Sequence, residues 1–407
     1  MVSYEVFYQA TAAIFLLLLI GALARDRKHL ERNGLMLMRK TEKGKELIDR
    51  IAKSNASLWK SLGTIGVALG FTGMALGTYM ISKVVIEVVF FSKSIVNGPS
   101  LVLPALSPDT SISPGILQIP FWFWLIGIVS VVFVHEGMHA IQMRVADVKI
   151  KSSGIMFLAV IPGAFVEPDE DELKKRGYMQ RQRVYAGGSL GNFMLAFFVL
   201  LLVSFIMIPL FFTPTIPWAN LSGNGTYPAK LANMTGFIMS IGDERTDDLS
   251  DIQRIMASTV PNQTINVKTT EGSYNIKLAA SPENPERGFL GIGYFPDKSL
   301  MRPITSRIPL LNGEVFYPLK REYAGTPQGF LISLVFGSLF WIWILNFGIG
   351  IMNLIPLKPL DGGLMFEAVM EKYAPKHGPK VTKAVSGIML AVLVSSLLLS
   401  FLSRFLA

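Results

Sequence analysis

Six stretches of the chain are apolar for long enough to cross a bilayer as helices: about 7–24, 62–82, 121–143, 186–212, 330–352 and 384–405. Roughly 20 apolar residues suffice at about 1.5 Å of rise each. A shorter apolar run, 154–166, is interrupted by Pro162 and Gly163. It is too short to span, which predicts a re-entrant or interfacial loop sheltered by protein. Residues 219–300 break the pattern: they are polar, with strand-like stretches near 265–270 and 274–278 and a helix-like one over 248–257. The expected fold is mainly α and polytopic, with about six transmembrane helices and one small α+β domain outside the membrane. It divides into an N-terminal region (1–118), a first half of the membrane core (119–218), the polar domain (219–300), a linker (301–328) and a second half of the core (329–407).

Composition agrees with a membrane protein: of 407 residues, 51% are hydrophobic and 16% charged, and the mean hydropathy is +0.44. The net charge of +9 does not indicate a nucleic-acid partner, because Lys and Arg gather beside the apolar runs, where they set membrane topology. Residues 25–61 hold eleven Lys or Arg against five acidic residues, whereas 83–120 hold two Lys and no Arg. The first of these segments is expected at the cytoplasmic face and partly helical, the second at the outer face. Both termini then lie outside, and the chain is a multi-pass protein of the cell membrane. Four of the five Asn-x-Ser/Thr tripeptides, at Asn220, Asn224, Asn233 and Asn262, fall in the polar domain, as expected of an extracytoplasmic position. There is no cysteine, so a bound metal must rely on His and carboxylates, and the chain has only His29, His135, His139 and His377.

The third apolar run ends in His135-Glu136-Gly137-Met138-His139. Histidines four apart share one helix face and can hold one ion, with the intervening glutamate placed to take a proton from water. Neutral imidazole suits Zn2+, which brings the pKa of bound water to about 7. Ionisable residues inside a span are costly and mark function. A catalytic zinc site normally takes three protein ligands. The third is open between Asp361, just beyond the fifth apolar run in Asn353-Leu-Ile-Pro-Leu-Lys-Pro-Leu-Asp361-Gly362-Gly363, and His377, sixteen residues on.

These residues resemble the site-2 proteases, intramembrane zinc metalloproteases, and in particular the prokaryotic members with an inserted PDZ domain. The likeness rests on the His-Glu-x-x-His motif, on the Asn353–Gly363 stretch with its Asn-x-x-Pro and Asp-Gly pattern, and on their order and separation. It implies that His135, His139 and Asp361 bind zinc and that Glu136 is the base. Gly188-Ser189-Leu190-Gly191-Asn192 resembles the family's Gly-Pro-x-x-Asn, with Ser in place of Pro. Asn192 and Asn353 are thereby candidate catalytic residues, holding a substrate strand or the tetrahedral oxyanion, or else ties between helices. The polar domain looks like a PDZ module, through Tyr227-Pro228-Ala229 and Gly236-Phe237-Ile238-Met239-Ser240-Ile241-Gly242, and would take a peptide ligand by strand addition. The expected activity is peptide hydrolysis in or near the spans of single-span membrane proteins, as in regulated intramembrane proteolysis. A metal-ion transporter or an inactive scaffold of the same fold are the rival readings. The first would place its ligands near mid-membrane, and the second would ordinarily lack Glu136.

Overall fold

The computed structural model describes residues 4–406 apart from 35, 42–43, 92–98, 108–109, 114, 159–160, 213–218, 221–226, 235–237, 247–248, 270–271, 283, 294–318, 321 and 324–325. It forms two compact units, Met1–Val199 with Gly337–Ala407, and Leu200–Phe336.

The first unit opens with α1 (Tyr4–Arg25), β1 (Glu31–Asn33), β2 (Met36–Lys40), α2 (Lys45–Ser54) and α3 (Ala56–Phe91). Three short strands, β3 (Leu101–Ala105), β4 (Ser111–Ser113) and β5 (Ile116–Pro120), then pair in the order β3-β5-β4. Next come α4 (Phe121–Val145), the hairpin of β6 (Ile150–Leu158) and β7 (Ile161–Pro168), the one-turn α5 (Glu170–Lys175) and α6 (Tyr178–Leu202).

In the second unit a π turn, Val203–Met207, leads to α7 (Ile208–Phe211). Beyond β8 (Ala219–Asn220) and α8 (Pro228–Leu231) lie β9 (Ile238–Ile241), β10 (Glu244–Arg245), α9 (Leu249–Ala257), β11 (Thr264–Thr269) and β12 (Ser273–Lys277). Three two-residue strands close it: β13 (Ala279–Ala280), β14 (Gly288–Phe289) and β15 (Ile292–Gly293). The main sheet is antiparallel in the order β10-β9-β11-β12. Strict alternation along β11 turns Ile265 and Val267 inward, where they meet Ile238, Ile241, Ile255 and Ile276 in the unit's core. The polar region is thus α+β, with strands at the two predicted places. Gly236, Phe237, Asp248 and Asn224, and most of the linker over 301–328, lie outside the described residues.

The chain returns to the first unit through α10 (Pro327–Met352), followed by α11 (Asp361–Tyr373) and α12 (Gly378–Leu406). Among the described residues six helices are long and apolar enough to cross a membrane: Glu5–Arg25, Ala56–Phe91, Phe121–Val145, Tyr178–Phe211, Pro327–Met352 and Gly378–Leu402. They coincide in order with the six apolar runs. The second is longer than its apolar run because no helix breaker follows, so the helix continues through Lys83 and Glu87.

Small residues allow spanning helices to approach closely. On α3, Gly66 faces Leu190 of α6, Gly70 faces Met365 of α11, and Gly77 faces Ile351 of α10. Val67, Met74, Ala186, Leu354 and Met365 fill the space between them. The N-terminal region is therefore packed into the membrane core.

Residues 154–166 differ from the expected loop. Of these, 154–158 and 161–166 are paired strand residues of β6 and β7, inside a four-stranded sheet of order β1-β2-β6-β7. Their backbone polar groups find partners in strands, not in an irregular turn, because β2 pairs with β6 from Met36↔Leu158 to Lys40↔Gly154. A further bond, Thr41 N–H to the Ser153 carbonyl at 2.8 Å, extends that pairing. Pro162 is tolerated because β7 is an edge strand. On the α4 side, the ion pair of Arg144 with Asp49 and a bond from Gln142 Nε2 to the Trp59 carbonyl (2.9 Å) hold α2 and the start of α3. At the hairpin's base, Glu172 accepts the Lys149 N–H at 2.9 Å, which holds its carboxyl below the usual carboxylate range.

At Gly154 β6 passes close to β2: a Cβ there would fall on the Arg39 carbonyl. Gly154→Val is expected to pry β2 from β6, at about 1–3 kcal/mol for such overpacking. Hydrogen exchange should then quicken over residues 36–40 while the spanning helices keep their protection.

Candidate metal centre

Helix α4 presents His135 and His139 on one face, one turn apart, with ring centroids 4.7 Å apart. Asp361 comes from the first turn of α11. After α10 the chain turns through Leu354–Leu360, which contains Pro356 and Pro359. The Gly362 N–H then bonds back to the Asn353 carbonyl at 3.0 Å. A side chain at Gly362 would collide with the Leu354 carbonyl, so a glycine is what lets α11 start against the end of α10.

The three side chains converge. His135 Nε2 lies 3.4 Å from Asp361 Oδ2, and His139 Nε2 lies 3.3 Å from Asp361 Oδ1. The two Nε2 atoms are 3.2 Å apart. A tetrahedral ion with ligand bonds of about 2.1 Å sets its ligand atoms about 3.4 Å from one another. The donor set of two imidazoles and one carboxylate therefore fits a single divalent ion in both chemistry and spacing, and it leaves a fourth position open. Among the described residues this is the one group of His, Cys, Asp or Glu side chains so placed. The three are 13%, 12% and 9% exposed at the side chain, so charges here are little screened by water. His377 lies in an exposed position and is not in the group.

Helix α6 backs the site. His139 Nδ1 donates to the Val184 carbonyl at 2.7 Å, which leaves its Nε2 lone pair for a metal. Gly188 lies one turn further on, and a Cβ there would overlap His135 Nε2 and His139 Nε2. Asn192, wholly buried, sets its amide nitrogen 3.2 Å from His135 Nδ1. Ser189, where the resembling motif has proline, donates from Oγ to the Gly350 carbonyl of α10 at 3.1 Å. Asn353 comes from the end of α10: its Nδ2 donates to Asp361 Oδ2 at 3.2 Å and lies 3.1 Å from His135 Nε2. Glu136 Oε2 accepts the Val166 N–H of β7 at 2.9 Å.

His135, Glu136, His139, Asn192, Asn353 and Asp361 thus lie at one place, whereas the rival ligand His377 does not join them. Val166 and Val184 are additions, and Gly188, named in the sequence only as the first residue of its motif, gains a role of its own. The first two act through backbone groups that no side-chain pattern announces, and Gly188 acts by lacking a side chain.

The model of Peptidase family M50 matches residues 123–396, from α4 into α12. The chain belongs to Peptidase family M50. This is the site-2 protease family, whose members are metallopeptidases, and with six apolar helices the chain is a multi-pass membrane protein of that family. It is also similar to an uncharacterized protein of Methanocaldococcus jannaschii, at 24% identity over 346 residues, covering 83% of this chain and 78% of that one. That alignment is longer than the M50 match, so it includes part of the N-terminal region.

Gly188 and Gly137 give a paired test of this geometry. Gly188→Ala should abolish stoichiometric metal binding, because its methyl group occupies the space of the two ligand atoms. Gly137→Ala, where a Cβ meets nothing within 4 Å, should bind metal as the wild type does. Metal content of the two purified variants reads the difference.

Proposed function

We propose that this M50 peptidase is a zinc endopeptidase that hydrolyses peptide bonds in or next to the spanning segments of single-span membrane proteins, as in regulated intramembrane proteolysis. The observation that carries the reading is the His135–His139–Asp361 triangle, with edges of 3.2–3.4 Å, set beside Glu136 on a helix apolar enough to lie within the bilayer. His135, His139 and Asp361 hold the ion. When bound, Zn2+ supplies Lewis acidity toward a water molecule and toward the scissile carbonyl. Asp361 offsets part of the ion's charge where water is scarce.

Glu136 takes the proton from the attacking water and returns it to the leaving amine. The Val166 N–H fixes one oxygen of its carboxylate, and so the direction in which the other atoms face. Asn353 Nδ2, beside His135 Nε2 and Asp361 Oδ2, donates to the carbonyl oxygen as negative charge develops there. A spanning helix has its backbone groups bonded internally and must unwind before cleavage. The outer edge of β7 offers an extended segment replacement bonds, since edge strands carry unpaired N–H and C=O groups. The positive-inside pattern supports a site near the cytoplasmic face, with residues 219–300 extracytoplasmic as a PDZ-like domain that captures a peptide end.

Glu136→Gln should keep zinc and stop cleavage of a single-span substrate. Asp361→Ala should lose both zinc and cleavage, whereas His377→Ala should change neither. Retained zinc in Asp361→Ala would remove it from the ligand set.

Orientation has its own check. Reporters fused near Lys40 and Lys175 should read as cytoplasmic and one near Gly272 as external. A cytoplasmic signal at Gly272 would invert the topology.

A further inference from the structure

Asn192 lies on α6, behind the ligand set. It is 0% exposed, and it stands on the α6 side of His135, 3.2 Å from Nδ1. The ligand atom Nε2 is the other ring nitrogen, which lies against Gly188. Among the described residues the Asn192 amide oxygen has no hydrogen-bond partner, and leaving a buried polar atom unpaired costs about 1–3 kcal/mol. The amide nitrogen, a donor, faces the ring nitrogen.

That arrangement suits a His135 whose Nδ1 carries the lone pair, and it conflicts with metal binding at Nε2. If Nε2 is to coordinate as a neutral imidazole, the proton must be on Nδ1, and that N–H needs an acceptor. His139 meets the same requirement with the Val184 carbonyl at 2.7 Å. For His135 two groups face the ring from α6: the Gly188 carbonyl, which the α-helical pattern already pairs with the N–H four residues on, and the Asn192 amide.

We infer that Asn192 is a positioning residue for the metal: with its amide turned so that Oδ1 accepts the His135 Nδ1–H, it holds His135 in the tautomer and orientation that present Nε2 to the ion. The inference rests on the zinc-peptidase reading above. It separates the two asparagines, with Asn353 facing the reacting groups and Asn192 acting only through His135. Asn192 then holds neither a substrate strand nor an oxyanion.

The test uses the full chain in detergent, with zinc affinity measured against a chromophoric chelator and cleavage measured at rising free zinc. Asn192→Val and Asn192→Ala remove the acceptor and should weaken zinc binding about 10- to 100-fold, the usual effect of losing such a partner. Their cleavage should recover as zinc is added. Asn192→Asp keeps an acceptor and loses the NH2 group, and should hold zinc close to wild-type affinity. Thermal melts of the metal-free proteins separate this from damage to helix packing: the melting temperatures of wild type and Asn192→Ala should agree while their zinc affinities differ.

Wild-type zinc affinity in both Asn192→Val and Asn192→Ala would overturn the inference and return the role to the Gly188 carbonyl. So would cleavage lost beyond rescue with zinc still bound, which is the mark of an oxyanion or substrate contact. An Asn192→Asp variant as weak as Asn192→Val would show that the amide donates. If wild type itself takes up no zinc and His135→Ala is indistinguishable from it, the zinc-peptidase reading falls, a result unlike any of the others.

Discussion

The close approach of α6 to α4 is the constraint on which the metal centre depends. At Gly188 there is no room for a side chain beside the two ligand nitrogens, and the same approach brings the Val184 carbonyl to His139 Nδ1 at 2.7 Å. Gly191 extends the contact along the seam, since a Cβ there would meet the Val134 carbonyl and Met138. A wider gap would leave both imidazoles free to turn, and a neutral imidazole with no partner on its second nitrogen has no preferred metal-binding tautomer. Asp361 arrives by a separate route, through the turn after α10, and here too a glycine permits the approach. Backbones pressed together are what make the ligand set rigid before any ion enters.

The second requirement is that backbone polar groups be paired wherever water is scarce. Residues 150–168 cannot meet it as a loop. Residues 150–158 and 161–168 meet it as paired strands, and the outer edge of the first strand is covered by β2 from the N-terminal region. The bond from Val166 to Glu136 therefore belongs to a sheet that begins at residue 31. This links the N-terminal segment, which lies outside the stretch matched to the M50 family, to the carboxylate at the site. Two further ties, Arg144 with Asp49 and Gln142 with Trp59, anchor the same segment to the helix that carries both histidines.

How much of this was legible beforehand follows from the range of each signal. Apolar runs of about 20 residues are local, and all six emerged as helices. His135, Glu136 and His139 share one turn of helix and were equally plain. Asp361 was legible by residue reading only as one of two candidates, and the family resemblance assigned it. Their meeting at 3.3–3.4 Å is a tertiary fact. The hairpin was missed because its partner strand lies more than a hundred residues away in sequence, and because Pro162 and Gly163 read as breakers when the strand is in fact an edge. The length of α3 was missed for a different reason: hydropathy marks where a bilayer could lie, whereas a helix ends only where its backbone finds a cap or a breaker.

Ser189 shows how the departure from the family's proline fits this chain. A proline at that place on α6 would remove the N–H of residue 189 and one helical bond with it. Serine keeps that bond and adds another, from its buried hydroxyl to the Gly350 carbonyl of α10 at 3.1 Å. Gly350 stands three residues before Asn353, so the bond ties the helix behind the histidines to the helix that delivers Asn353 and, beyond it, Asp361. In an apolar surrounding such a bond has little competition from water, and model studies place it at about 1–2 kcal/mol or less. The substitution thus replaces a local stiffening of α6 by a cross-link between α6 and α10, and the two halves of the ligand set stay in register by a different means.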